Sequence, residues 1–249
     1  MRIILAIAQR ELQSFFHTTI GWLCLVGFIG LSGLIFAWIA TAYADPTYAL
    51  QGQAIDVNEY LIPDFFGTIA VFLLMLAPAL SMRSFSEDQQ QGSFELLLSS
   101  PITSSQIVWG KYLGILGFLG ILLLSTSHVV VLLFWISTPN PTILILNYLS
   151  TFLMSATFVA IGILFSSWTK SQLIALALGF GFLLALWFLG GLAEMANGQL
   201  KEILAYISIL NHTDNLNKGL LYSKDIIYFI STIFLFLFAT QQRIEAYRW

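Results

Sequence analysis

Charge is what this chain has least of. Asp, Glu, Lys and Arg make up 9% of its 249 residues, against about a quarter in soluble domains. Residues 12–44 and 112–169 contain none of the four. With 58% hydrophobic residues and a mean hydropathy of +0.84, a soluble globular domain is excluded. The apolar residues fall in runs near the ~20 residues that cross a hydrocarbon core, so the chain reads as one helical membrane domain, residues 1–249. Cysteine is almost missing as well. Cys24 stands alone in an apolar run, which excludes an internal disulfide or a cysteine metal cluster and leaves it a packing role. No basic stripe accompanies the formal charge of −3, so no nucleic-acid surface is expected.

Catalytic signals are equally sparse. The one Gly-Lys pair, Gly110-Lys111, lacks the upstream glycine spacing and the following Ser or Thr of a phosphate loop. His17, His128 and His212 fall in different predicted layers, which gives no metal site and no acid–base pair. His128 sits within an uncharged span and is read as a neutral ring bonded to a neighbouring helix. The serines and threonines show no nucleophile with an activating partner. The expectation is a non-catalytic chain without a metal or cofactor of its own.

What is present is a repeating alternation of apolar runs and short polar breaks. Residues 1–16 place Ile4, Leu5, Ala8, Leu12, Phe15 and Phe16 at helical spacing beside Arg2, Gln9, Arg10, Glu11 and Gln13, which predicts an interfacial helix. No small-residue cleavage site follows, so the first span is retained. Spans are predicted at about 20–43, 65–81, 107–136, 142–166, 173–192 and 226–240. Pro78 introduces a tolerated kink near the end of the second. Ser137-Thr138-Pro139-Asn140-Pro141 divides the third from the fourth.

Orientation follows from lysine and arginine, which favour the cytoplasmic side. Arg2, Arg10, Arg83, Lys111, Lys170, Arg243 and Arg248 fall on one predicted side and Lys201, Lys218 and Lys224 on the other, seven against three. The expected architecture is all-α integral membrane: six transmembrane helices, an N-terminal interfacial helix, a cytoplasmic coupling helix, and both termini cytoplasmic.

Two polar segments stand out. Residues 82–111 form a cytoplasmic connector. Within it Gly92-Ser93 precede Glu95 and the run Leu96, Leu97, Leu98, and Pro101 ends the run. That pattern predicts a short helix capped by Ser93, with Glu95 in its first turn. Thr103 and Gln106 then have capping-box spacing for the next helix. Such a helix, held between two spans, can set its leucines into a groove of another protein and pass a push into the membrane. The second segment, residues 193–224 on the outer side, carries Leu200, Ile203, Leu204 and Ile207 at helical spacing, too few to cross. The polar cluster Asn211, His212, Asp214, Asn215 and Asn217 follows. It predicts an interfacial or re-entrant helix, with Ile203, Ile207, His212 and Gly219 as candidate gate or partner contacts. In the third span, Gly110, Gly114 and Gly117 share a face suited to close helix contact.

The connector resembles that of ABC-2 type transporter permeases in its acidic Glu87 and Asp88, its Gly92-Ser93-Phe94-Glu95-Leu96-Leu97-Leu98, its Pro101 and its Gly110-Lys111. Arg10-Glu11-Leu12 with Phe15-Phe16 is similar to their entry helix. Pro78-Ala79, Met82-Arg83-Ser84-Phe85, Asn217-Lys218-Gly219, Asp225-Ile226-Ile227-Tyr228-Phe229 and the closing Arg248-Trp249 look like the gliding-motility-associated subgroup. Ser93 replaces the usual threonine, and Thr18-Thr19 stands where Ser-Pro is common, which bears on the geometry of membrane entry. The resemblance implies a permease half in a bacterial inner membrane, paired with a second permease chain, alike or related. Two separate ATPase subunits would bind ATP and Mg and dock on Glu87, Gly92, Ser93, Glu95, Leu96, Leu97, Leu98 and Pro101. An accessory membrane protein with a large outer domain accompanies the subgroup. The implied activity is ATP-driven export of an amphipathic or lipid-like substrate; the alternative is a mechanotransmission complex that drives the outer partner without moving a solute.

Overall fold

The computed structural model describes residues 1–43, 57–94 and 102–247. These residues form helices, with no strand among them. In chain order the helices are α1 (Arg2–His17), α2 (Thr19–Tyr43), a π-helical turn (Val57–Leu61), α3 (Ile62–Ser81), α4 (Arg83–Gln91), α5 (Ser104–Ser125), α6 (Ser127–Ile136), α7 (Pro141–Trp168), α8 (Gln172–Met195), α9 (Gln199–Ile207), α10 (Ile209–Asn217) and α11 (Ser223–Ala246). Six helical segments are long and apolar enough to cross a membrane, the second and third of them combining α3 with α4 and α5 with α6. The architecture is the expected all-helical one with six spans.

α7 is the axis of the bundle. Over its most apolar window 83% of residues are buried, against 22% for α8 and 28% each for α2 and α11; those three therefore present most of their surface outward. Helices α3, α4, α5, α8, α10 and α11 all pack on α7. Its start is set by two local devices: Pro141 occupies the first turn, where its missing N–H is harmless, and the Asn140 side chain accepts from Thr142 N–H at 3.0 Å. The predicted box at α5 is present too, Thr103 accepting from Gln106 N–H at 3.4 Å while Thr103 N–H donates to Gln106 at 3.3 Å.

The helices break in places the apolar pattern does not show. At Thr18 the backbone is extended, and the carbonyls freed at the end of α1 are taken by the Thr18 hydroxyl, which donates to Phe15 O, and by Trp22 Nε1, which donates to Phe16 O. Gly21 closes this corner: a Cβ there would lie 1.9 Å from the Phe15 carbonyl oxygen. The turn into the membrane is thus built without proline. The third span, expected as one helix, breaks at Thr126. The Thr126 hydroxyl donates to Leu123 O at 2.7 Å and lies 2.8 Å from Tyr148 Oη. His128, expected to bond to a neighbouring helix, bonds locally instead, Nδ1 lying 2.8 Å from Ser125 O, with no bond to another span among the described residues. α3 begins earlier than expected, at Ile62, and runs unbroken through Pro78; the break falls at Met82.

α1 lies lengthwise on α5. A Cβ on Gly110 would meet Ile7 Cβ at 2.6 Å, and one on Gly114 would meet Glu11 Cβ at 2.5 Å and Ala8 O at 2.8 Å. Phe15 stacks on Phe118 with centroids 4.6 Å apart. Residue numbers rise together along this seam, so the two helices run in the same direction. Gly117, at 3.7 Å from Leu12, and Gly120, at 3.7 Å from Phe152, are in ordinary contact. Gly114→Leu should therefore detach α1, lowering the unfolding temperature in detergent by an amount corresponding to about 2 kcal/mol or more, whereas Gly120→Leu should be tolerated far better. Equal melting of the two variants would remove the close approach.

Candidate coupling site

Both ends of the connector are described; its centre, Glu95, Leu96, Leu97, Leu98 and Pro101, lies outside the described residues. The sequence marks a chemical problem here, because Arg83, Glu87, Asp88 and Lys111 are charges at the boundary of long apolar runs. Lys111, 6% exposed, solves its own part of it. Its ammonium lies 2.8 Å from Asp88 Oδ2 and 3.9 Å from Glu11 Oε2, donates to the Ser84 carbonyl, and stands 5.1 Å over the Phe85 ring. One side chain of α5 thereby binds α4 and α1. The Arg83 guanidinium lies 4.3 Å over the Phe15 ring, a second tie from α4 to α1.

Ser166, near the end of α7, holds the break between α3 and α4. Its hydroxyl donates to Met82 O at 2.7 Å and accepts from Phe85 N–H at 3.0 Å and Ser86 N–H at 3.1 Å. A new helix start inside a bundle leaves backbone N–H groups without partners, and Ser166 answers two of them from another helix. Gln89 adds a bond to Ser167 O at 3.1 Å. Behind this joint, Gly162 lets α7 approach α3 so closely that a Cβ would stand 1.9 Å from Ser81 Oγ.

α4 ends at Gly92 in the left-handed region, φ 74°, where a glycine is favoured. Glu87 accepts from Gln91 Nε2 at 3.1 Å. The Ser93 hydroxyl, expected to cap the following helix, turns back to Asp88, 3.3 Å from its carbonyl and from Oδ1. Phe94 is buried between Phe85 of α4 and Tyr247 beyond α11, with centroids 6.3 and 5.6 Å away. A cavity of about 580 Å³ opens beside α4, with Arg10, Glu11, Arg83, Glu87, Asp88 and Lys111 among its walls. The connector therefore enters its undescribed centre from a block in which α1, α4, α5, α7 and the end of α11 are joined.

At the opposite end, α9 and α10 form a short pair that does not cross. Ile203 and Ile207 lie on α9, none of whose residues is buried. His212 is different. Its Nδ1 lies 2.7 Å from Asp225 Oδ1, its Nε2 lies 3.0 Å from Tyr206 O, and its ring stacks on Tyr228 at 3.9 Å. Asn215 Nδ2 donates to Asp225 Oδ2 at 3.1 Å, and Tyr228 Oη donates to Ile207 O at 2.7 Å. This corrects the expectation that no histidine pairs with an acid: the partner stands 13 residues away across a turn, a distance that helical spacing cannot reveal. Gly219 forms that turn at φ 83°, packed on Ile143. On the exposed side, the Asp214 carboxylate 2.8 Å from Lys218 raises that ammonium above its usual range.

Residues 5–241 match the family described as ABC-2 family transporter protein. The chain belongs to the ABC-2 transporter family. No characterised sequence matches it individually. Members of the family are membrane components of ABC-type transporters, and the six candidate spans are consistent with an ABC-2 permease.

The joint at Ser166 gives a direct test. Ser166→Ala leaves Phe85 N–H and Ser86 N–H without their acceptor and should destabilise the folded permease by about 1–3 kcal/mol. Ser231→Ala, which removes only a local bond to Tyr228 O, should change it by less than about 0.5 kcal/mol. Thermal unfolding of both variants in the same detergent makes the comparison.

Proposed function

We propose that this permease is the membrane subunit of an ATP-driven exporter, with its connector end in the cytoplasm of a bacterial inner membrane. Two ATPase subunits, which bind ATP and Mg, dock on residues 95–101, and a second permease chain completes the assembly. The observation that carries this reading is the joined block around Lys111 and Ser166. A force on the connector reaches α5 through Lys111, α7 through Ser166 and α1 through Phe15, so several spans move together instead of the loop bending alone. The excess of lysine and arginine at the connector end supports the orientation.

An amphipathic or lipid-like substrate fits the surface between α2 and α3. A groove of about 350 Å³ opens there, with Leu23, Phe28, Leu31, Phe72, Met75 and Leu76 among its walls. The matches at Pro78-Ala79, Asn217-Lys218-Gly219 and Asp225-Ile226-Ile227-Tyr228-Phe229 support the gliding-motility-associated subgroup and with it an accessory outer partner, for which Ile203 and Ile207 on exposed α9 are the contacts proposed.

Two measurements test the reading. Glu95→Lys, or Asp at both Leu97 and Leu98, should leave insertion intact and abolish coupling between ATP hydrolysis and export; cysteines at these positions should crosslink to a copurifying ATPase. Absence of every crosslink would remove the docking assignment. In a Cys24→Ala background, an impermeant thiol reagent on intact cells should label Lys218→Cys and spare Ser93→Cys and Lys170→Cys. The opposite pattern would invert the topology.

A further inference from the structure

We propose that His212 and Asp225 form a buried proton-holding site that locks the α9–α10 pair onto the start of α11, and that loss of this proton releases it. The argument begins with hydrogen-bond inventory. A carbonyl oxygen only accepts, so the His212 nitrogen facing Tyr206 O, Nε2 at 3.0 Å, must carry a hydrogen. The other nitrogen, Nδ1, lies 2.7 Å from Asp225 Oδ1. That contact is attractive only with a proton between the two atoms, whether the proton belongs to an imidazolium or to a carboxylic acid. The docked pair thus holds one proton more than a neutral imidazole and an ionised carboxylate do together.

Burial makes the proton matter. His212 is 6% exposed and Asp225 0%. Without the proton the ring keeps a single hydrogen: on Nδ1 it holds Asp225 and leaves the Nε2 lone pair facing the Tyr206 carbonyl, on Nε2 it leaves the Nδ1 lone pair facing a buried carboxylate, so either way one contact turns repulsive in a site that water scarcely enters. The surrounding groups supply no replacement. From α9 the titratable neighbour is Tyr206, edge-on to the ring at 5.6 Å; from α11 it is Tyr228, stacked at 3.9 Å. Asn215 of α10 donates to Asp225 Oδ2 and stabilises the acid without titrating. Asp214 and Lys218 pair with each other at the exposed surface, and Lys224 lies over Tyr222, 5.3 Å from its centroid. Lys201, Glu202 and Glu194 are exposed. No cation other than the proton therefore meets Asp225 among the described residues.

The sign follows. In the released state a solvated imidazole is neutral above about pH 6.5 while the carboxylate is ionised, so the docked state binds the extra proton and docking is favoured at lower pH. Raising the pH shifts the balance toward release. What is released is the tie that joins three elements: His212 of α10, Tyr206 and Ile207 of α9, and Asp225 and Tyr228 of α11. The last of these is a membrane span, so its upper end gains freedom together with the pair. This inference stands on the geometry of that end alone and does not depend on the ATPase or the substrate proposed above.

Spin labels at Lys201→Cys on α9 and Ile227→Cys on α11, in a Cys24→Ala background of the full-length chain in lipid nanodiscs, read the docking directly. Between about pH 6 and about pH 9 the population at the longer distance should rise at least tenfold. His212→Gln should give a distance distribution that no longer moves with pH, whatever its position, and Asp225→Asn should lose the rise of the longer distance toward high pH. Nitrogen-15 resonances of His212, assigned by their loss in His212→Gln, give a second readout. At about pH 7 they should show a proton on both ring nitrogens, or else the infrared band of a protonated carboxyl should vanish in Asp225→Asn. A neutral ring beside an ionised Asp225, or a distance distribution in the parent protein unchanged across this pH range, would overturn the proposal.

Discussion

A backbone inside a bilayer has no water to bond, so every interruption of a helix must find its partners within the protein. Three breaks among the described residues are answered that way. At the turn between α1 and α2, the Thr18 hydroxyl and the Trp22 indole take the carbonyls of Phe15 and Phe16. At Met82, Ser166 serves three backbone groups from another helix. At Thr126, the hydroxyls of Ser125 and Thr126 and the ring of His128 satisfy the carbonyls of Leu122, Leu123 and Ser125. At these three breaks Thr18, Ser166, Ser125 and Thr126 hold the chain where it bends.

The same economy explains the contrast between the two ends. At the connector end, Lys111 and Arg83 are long cationic arms used as fasteners, one to two carboxylates and a carbonyl, the other to an aromatic face. Removing one partner of such a cluster strands the others, so the block behaves as a unit. At the far end the fastening passes through a buried histidine and acid, His212 and Asp225.

Glycine plays a narrower part than its number implies. Gly21, Gly110, Gly114 and Gly162 stand where a Cβ would collide with backbone or with the root of a side chain, and these four set how closely α1, α2, α3, α5 and α7 approach. Gly27 and Gly30 of α2 have open space around them among the described residues, whereas a Cβ on Gly33 of the same helix would be in ordinary contact with His128 Nε2 at 3.5 Å. That separation could not be made from spacing, since Gly117 shares the face of Gly114 and yet is in ordinary contact.

By itself the sequence determined the membrane class, the six spans, the helix start at Thr103, the division between the third and fourth spans, and the polar identity of the two segments between spans. These follow from local quantities: the length of apolar runs, the capping chemistry of a few residues, and the unequal distribution of lysine and arginine. Only the tertiary structure decided that Lys111 binds Asp88 and Glu11, that Ser166 caps α4, that the third span breaks at Thr126, and that His212 meets Asp225. In each pairing between helices the partner lies on another element, and Ser166 reaches α4 across some eighty positions of chain. Hydropathy and helical period carry no information about which faces meet; that is set by the packing of whole helices around α7.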